Sequence, residues 1–481
     1  MSTYKPTIGI EVHAELNTKS KMFCACKNDP HASLPNTNIC AVCLAHPGTL
    51  PRVNAEAIKK VLILGQAIKG EIADFSEFDR KQYFYPDIPK AYQLSQYAYP
   101  FVKGGELAGV AITRVHLEED TARSSHTNAN ESNTNANGHS AVDFNRAGVP
   151  LMELVTEPVI HDADTASNFV KELQLMLRTL GISEANMEKG EMRVEANISI
   201  SKTDQLGTKV EVKNLNSFKA MSQAIEFEIS RQTEILDKNE AVKQETRGWD
   251  ENKSRTFLQR SKEKADEYRY FPDPDIPKFV ISEIDMFSRD NLSNATRDIP
   301  ENIRIKYRDI GLTENQIEML LLNPALRNFF EVGFVATSED RGAESTRMAA
   351  NYLTSDVAGL LSANPELKLD MVAVPGFVKL VFMLQKGEIG SRVAKDLLPQ
   401  VLFELKDPET VAKEQGLLQL SSTDDLMGVI LKVIESNEKV VADYKAGKES
   451  SVQFLVGQAM KETKGSANPA VLLTLFKEAL K

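Results

Sequence analysis

TIGIEVHAEL, residues 7–16, decides how the first half of this chain folds. With a period of two, Ile8, Ile10, Val12 and Ala14 fall on one side, and Gly9, Glu11, His13 and Glu15 on the other. Such alternation describes a strand with one face in a core, because successive side chains of an extended chain point to opposite sides. The polar side is unusual. A carboxylate, an imidazole and a second carboxylate in succession suit metal chemistry as well as they suit solvent.

The pattern recurs downstream. GVAITRVHLEED (109–120), PLMELVTEP (150–158), MRVEANISI (192–200) and GTKVEVKNL (207–215) all read as strands. In 192–200, Met192, Val194, Ala196, Ile198 and Ile200 alternate with Arg193, Glu195, Asn197 and Ser199. Glu153 and Glu157 share a face, whereas Glu118 and Glu119 point opposite ways, so only one of them enters a given cleft. Helical spacing over 54–69, 164–180 and 217–236 interleaves with the strands, the last opening at Ser217 as a cap. Strands mixed with helices, without regular βαβ alternation, predict an α+β domain on a large, mainly antiparallel sheet over 1–292.

From 293 the character changes. Thr313 and Gln316 have capping-box spacing ahead of an apolar run. Helical stripes follow over 340–363, 376–405, 423–436 and 450–462, punctuated by Pro300, Pro324, Pro365, Pro375, Pro399 and Pro408. These predict an all-α helical domain over 293–405 and a helical tail domain over 406–481. The Asn-rich stretch TNANESNTNANGHS (127–140) predicts a loop and carries no chemistry of its own.

A length of 481 residues fits two to four domains. No apolar run is long enough to span a membrane, and MSTYKPTIG lacks the pattern of a secretory signal, so a cytoplasmic protein is expected. The net charge of −11 argues against a broad, non-specific grip on nucleic acid; a structured RNA held by local basic patches stays possible. All four cysteines lie in one short segment, as Cys24-Ala25-Cys26 and Cys40-Ala41-Val42-Cys43. In a reducing compartment two close thiol pairs across a short loop predict a structural zinc site, with disulfides as the alternative.

A single acidic strand is usually a solvated face. Several strands of one sheet that each present a carboxylate, one with a histidine, predict a pocket of hard oxygen ligands suited to Mg²⁺ or Mn²⁺. A bound dication would relieve the repulsion and attract phosphates, so ATP could be held without a glycine-rich loop. None is present: Gly447-Lys448 lacks P-loop spacing, and there is no G-x-G-x-x-G. Arg193, Lys209 and Lys213 are near in sequence to meet phosphoryl oxygens.

IGIEVHAEL, PNTNICAVCLAHPGTLP, FDRKQYFYPDIPKAYQLSQ, HLEED, DFNRAGVPLMELVTEP, ANISI, EVKNLNSF and EYRYFPDPDIP occur in this order. Together they resemble the B subunit of the aspartyl/glutamyl-tRNA amidotransferases, over essentially the whole chain. The resemblance implies a cradle similar to the glutamine synthetase and guanido-kinase fold, followed by helical and tail domains. It implies ATP-dependent activation of the side-chain carboxylate of Glu on tRNA(Gln) and Asp on tRNA(Asn), then amidation by ammonia. Glutamine hydrolysis would belong to a partner amidase, the A subunit, joined by a small C subunit. The implied Mg²⁺ residues are His13, Glu119 and Glu153, with Glu11 and Glu118 close by. Arg193, Glu195, Asn197, Lys213, Asn214 and Asn216 are implied substrate or phosphate contacts, and Lys461 and Lys464 contacts to the tRNA body. Cys24, Cys26, Cys40 and Cys43 match a zinc-bearing branch, and the aromatic segments 82–92 and 268–278 would border the cleft.

Overall fold

The computed structural model describes residues 4–127, 139–261, 268–335, 342–418, 423–463 and 467–480. The chain forms two compact units, Met1–Asn302 and Ile303–Lys481.

The first unit is built on a ten-stranded sheet. From one edge its order is Arg255–Ser261, Glu245–Asp250, Val210–Leu215, Met192–Ser201, Lys5–Glu15, Pro150–Thr156, Val110–Glu119, Val102–Lys103 and Glu71–Ile72, with Glu106–Leu107 also paired to Val110–Glu119. Every pairing is antiparallel except that of Val210–Leu215 with Glu245–Asp250. A mixed, mainly antiparallel sheet is therefore followed by a helical region.

Lys5–Glu15 sits at the centre because its apolar side is continuous. Ile8, Ile10, Val12 and Ala14 are fully buried. Burying the three larger ones contributes roughly 1.5–3 kcal/mol each. A register slip of one residue would expose them and drive His13 into the core, so this packing also fixes where His13 points.

Helices cover that apolar face. Asn54 caps Ala55–Ala67, its side chain accepting from Glu56 N and Ala57 N; Asp162 caps Ala163–Thr179; Ser217 caps Phe218–Asp237. The last packs on Met192–Ser201, and Ala163–Thr179 packs on Phe218–Asp237. Residues of all three helices join the central strands in one hydrophobic cluster.

In the second unit Thr313 and Gln316 close the capping box that their spacing predicts. The stripe read as one helix over 376–405 is two, Val374–Gln385 and Ser391–Phe403, because Gly387 (φ 71°) turns the chain between them. Pro399 does not end a helix but lies inside the second. Toward the C-terminus, Leu426, Ile430, Leu455, Leu472 and Phe476 belong to a separate hydrophobic cluster. Among the described residues no helix is long and apolar enough to cross a membrane.

Candidate active site

Antiparallel register brings the charged residues together. His13 lies opposite Glu153 on one side and Arg193 on the other, and Glu153 lies opposite His116 in turn. Glu153 is the hub. Its Oε2 is 3.5 Å from His13 Nε2 and 3.3 Å from His116 Nε2, and its Oε1 is 3.6 Å from an Arg114 guanidinium nitrogen. His13 Nε2 is also 3.6 Å from Glu118 Oε1 and 3.9 Å from Glu11 Oε1. Ser95 Oγ donates to Glu118 Oε2 at 3.3 Å.

Two donor triads result, Glu11–His13–Glu195 and His13–Glu118–Glu153, each with ligand atoms within 4.8 Å of one another. Carboxylate oxygens with one imidazole nitrogen fit Mg²⁺ or Mn²⁺. Burial alone would lower the His13 imidazole; the hydrogen bond to Glu153 and the charges of Glu153, Glu118 and Glu11 instead raise it to about 9. Burial and the charges of Glu153 and Glu195 push Glu11 up to about 7. Glu153 resists its own burial: His116 and His13 hold its carboxyl well below the usual range. A proton on His13 thus partly satisfies the acids, in the position that a dication would take over.

The cluster corrects one expected ligand. Glu119 is not brought to His13. As the alternation of HLEED demands, its carboxylate points the other way, pairs with Lys90 and accepts from Leu94 N at 3.0 Å. Glu118 stands where Glu119 was expected. Period-two counting carries the signal for the two residues that were missed, Arg114 and His116, since both alternate onto one face with Glu118.

The expected phosphate contacts divide. Arg193 donates to Asp120 at 2.8 Å, and Lys213 pairs with Glu195 at 2.8 Å, so both cations have anionic partners. Asn197 lies opposite Gly9, and its buried Oδ1 has no hydrogen-bond partner. Asn214 and Asn216 are both exposed. Asn214 is in the left-handed region (φ 64°) just before the chain enters Phe218–Asp237. Asn216 lines a separate cavity with Gln174, Arg178 and Phe218. A cation that sequence did not single out, Lys81, senses Glu118 and Glu153 and places its Nζ 5.1 Å from the Tyr268 ring centre.

Cys24, Cys26, Cys40 and Cys43 form one cluster with their sulfurs within 4.8 Å, and all four are free thiols. Cys40 N donates to Cys43 Sγ at 3.1 Å, and the Cys40 and Cys43 sulfurs are 3.9 Å apart. Tetrahedral zinc with bonds of about 2.3 Å needs sulfurs about 3.8 Å apart, so the donor set fits. The Cys24 hydrogen bond lowers Cys43 to about 5 against the effect of burial, while burial pushes Cys26 up to about 11. Between this knot and Glu119 lies a cavity of ≈ 280 Å³, lined among others by Cys24, Cys43, Lys90, Tyr92, Glu119 and Gly148.

Lys461 is exposed at the end of Ser451–Glu462; Lys464 and residues 128–138 of the Asn-rich stretch lie outside the described residues.

A broad sheet with one face covered by helices and the other carrying clustered acid, imidazole and base is the make-up of an enzyme's catalytic unit. Residues 6–286 match the family model of the GatB/GatE catalytic domain, and 334–480 that of the GatB domain. The chain is 41% identical over 486 residues to the aspartyl/glutamyl-tRNA(Asn/Gln) amidotransferase B subunit of Thermus thermophilus, covering 99% of each. It is 39% identical over 496 residues to that of Gloeothece citriformis, covering 99% of this chain and 98% of the relative. With that of Brevibacillus brevis the identity is 38% over 492 residues, covering 100% and 99%. The chain belongs to the family of aspartyl/glutamyl-tRNA(Asn/Gln) amidotransferase B subunits.

Proposed function

We propose that this chain phosphorylates the side-chain carboxylate of Glu on tRNA(Gln), of Asp on tRNA(Asn), or of both, with ATP, and that ammonia then displaces the phosphate to give the amide. A carboxylate is a poor electrophile because oxide is a poor leaving group. Transfer of the γ-phosphoryl supplies one, and ADP departs. Ammonia would come from a partner amidase, the A subunit, joined by a small C subunit, in keeping with relatives that are named as B subunits.

The observation that carries this reading is His13 Nε2 within 3.9 Å of carboxylates from three strands. His13, Glu118 and Glu153 would hold Mg²⁺, with Glu11 and Glu195 beside them. When bound, the ion screens the charge between the two anions that must meet. Arg114 and His116 fix the Glu153 carboxylate, and Ser95 fixes Glu118. Zinc on Cys24, Cys26, Cys40 and Cys43 would tie 24–26 to 40–43. Residues 406–481 would form a tail domain that touches the tRNA body, with Lys461 and Lys464 on phosphates.

The test is the complex reconstituted with both partners, given glutamine, ATP and each misacylated tRNA. His13→Ala and Glu153→Ala are expected to lose tRNA-dependent ATP cleavage while still binding tRNA. Full amide formation by both variants would refute the assignment.

A further inference from the structure

Glu15 follows His13 on the polar side of Lys5–Glu15 but takes no part in the acid–imidazole cluster. It is 8% exposed, and its carboxylate has neither a hydrogen bond nor an ion pair among the described residues. A carboxylate taken out of water without a partner is costly, so its surroundings have to answer it. Those surroundings are a cavity of ≈ 410 Å³ at the end of the strand. Its other walls come from the loop after Cys26, from Glu56, and from the turn that leads into Met192–Ser201.

Charge in this cavity is one-sided. Glu15 is buried, Glu191 half-buried, and Glu56 and Glu184 exposed, so carboxylates run from its floor to its mouth. Of the lining residues only Lys19 and His31 can carry positive charge. His31 already lies 3.6 Å from Glu191 and 3.3 Å from an Arg123 nitrogen. Asn28 adds an acceptor: its Nδ2 donates to Leu16 O and Thr18 Oγ1, and its buried Oδ1 has no hydrogen-bond partner. The walls offer acceptors and lack donors.

Geometry selects the kind of cation. Among the described residues, sets of three acid or imidazole donors within 4.8 Å of one another occur in the acid–imidazole cluster and not here. These carboxylates are too widely spaced to close on one dication, whose oxygen ligands lie about 2.0–2.6 Å from it. A single ammonium group would answer one acid and leave the rest. Several ammonium groups along one flexible chain match the spacing, and Leu16 and Pro30 give the methylenes between them an apolar wall.

We propose that this cavity binds a linear aliphatic polyamine of the spermidine class, with its ammonium groups on Glu15 and Glu191 inside and on Glu56 and Glu184 at the mouth. The bound chain ties the end of the central strand to the loop after Cys26 and to the turn before Met192. The site is separate from the reaction proposed above and does not depend on it.

The experiment titrates spermidine by calorimetry into the complex with both partner subunits, in Mg²⁺ sufficient to fill the acid–imidazole cluster. One spermidine per chain is expected, bound more weakly as salt rises. Putrescine, which has one ammonium group fewer, is expected to bind about tenfold more weakly. Glu15→Gln and Glu191→Gln keep the shape and remove a charge, and each is expected to weaken spermidine about tenfold. Glu184→Lys changes an exposed position, puts an ammonium group in the mouth and is expected to abolish binding. Thermal melts without spermidine check that the variants fold. Melts with it should follow the same order, since a ligand of the folded chain raises the melting temperature. Undiminished affinity in Glu184→Lys, or in the double variant of Glu15→Gln and Glu191→Gln, would overturn the proposal. So would heat that disappears when Mg²⁺ is added, which places the cation on the acid–imidazole cluster. Binding to the full chain alone that both partners abolish would overturn it too, because a basic side chain of a partner then fills the cavity.

Discussion

Among the described residues the first unit holds two clusters of ligating side chains, and they are assembled by opposite means. The four thiols come from one short loop segment, Cys24 to Cys43, whereas the acid–imidazole cluster draws Glu11, His13, Glu118, Glu153 and Glu195 from four strands. The thiol knot needs only local turns. The acid cluster needs a sheet to be paired in the correct register first. A local site can be disturbed and leave the sheet intact, whereas the sheet-borne site changes with any residue that shifts the pairing.

That contrast is easiest to break at the thiols. Cys40→Ser is expected to lower zinc affinity more than roughly 100-fold and to release the metal to a chelator. The melting temperature should fall by a few degrees for each kcal/mol lost, while Mn²⁺ binding at His13 persists. Metal analysis and calorimetry on the same samples check both. If Mn²⁺ binding vanished with zinc, the two clusters would not be independent.

Next in size is the choice between two adjacent glutamates. Glu118→Gln should weaken Mn²⁺ binding about 10–100-fold, and Glu119→Gln should change it little, since that carboxylate serves Lys90 and Leu94 N. Isothermal titration separates them. The reverse order would mean that the side chains of HLEED exchange faces when the metal binds.

A smaller effect follows from protons. His13 sits near 9 and Glu11 near 7 before any metal binds, and both must be deprotonated to act as ligands. Mn²⁺ affinity should therefore climb between pH 6 and 9, with proton release on binding, by up to about tenfold per unit for each group still protonated. The stability of the metal-free protein moves the opposite way. Raising the His13 value in the fold gives a contribution that is complete below its unfolded value of about 6.5 and is lost as the pH passes 9. Glu11 acts in the same direction at lower pH: its raised value makes stability fall as the pH climbs from its unfolded pKa, near 4.5, through about 7. His13→Gln should flatten the pH dependence, which thermal melts across this range can follow.

The smallest change lies outside the sheet. Lys461→Ala should weaken tRNA binding only two- to threefold and reduce the salt slope by about one, the signature of a single phosphate contact. Filter binding at several salt concentrations measures it. A loss of tenfold or more would make the second unit a principal anchor for RNA.

Sequence alone determined what each local pattern can be. Alternation in TIGIEVHAEL picked out Ile8, Ile10, Val12 and Ala14 for the core, Ser217 marked a helix start, and the cysteine spacing located the knot. These follow from periodicity and capping, which act over a few residues. Tertiary structure decided which face meets which. It placed His13 between Glu153 and Arg193, selected Glu118 over Glu119, turned Asn216 into another cavity, and joined the tyrosines of 82–92 to those of 268–278. A strand's own sequence gives its two sides, but only pairing with distant strands fixes what stands opposite each residue, because register is set by long-range packing.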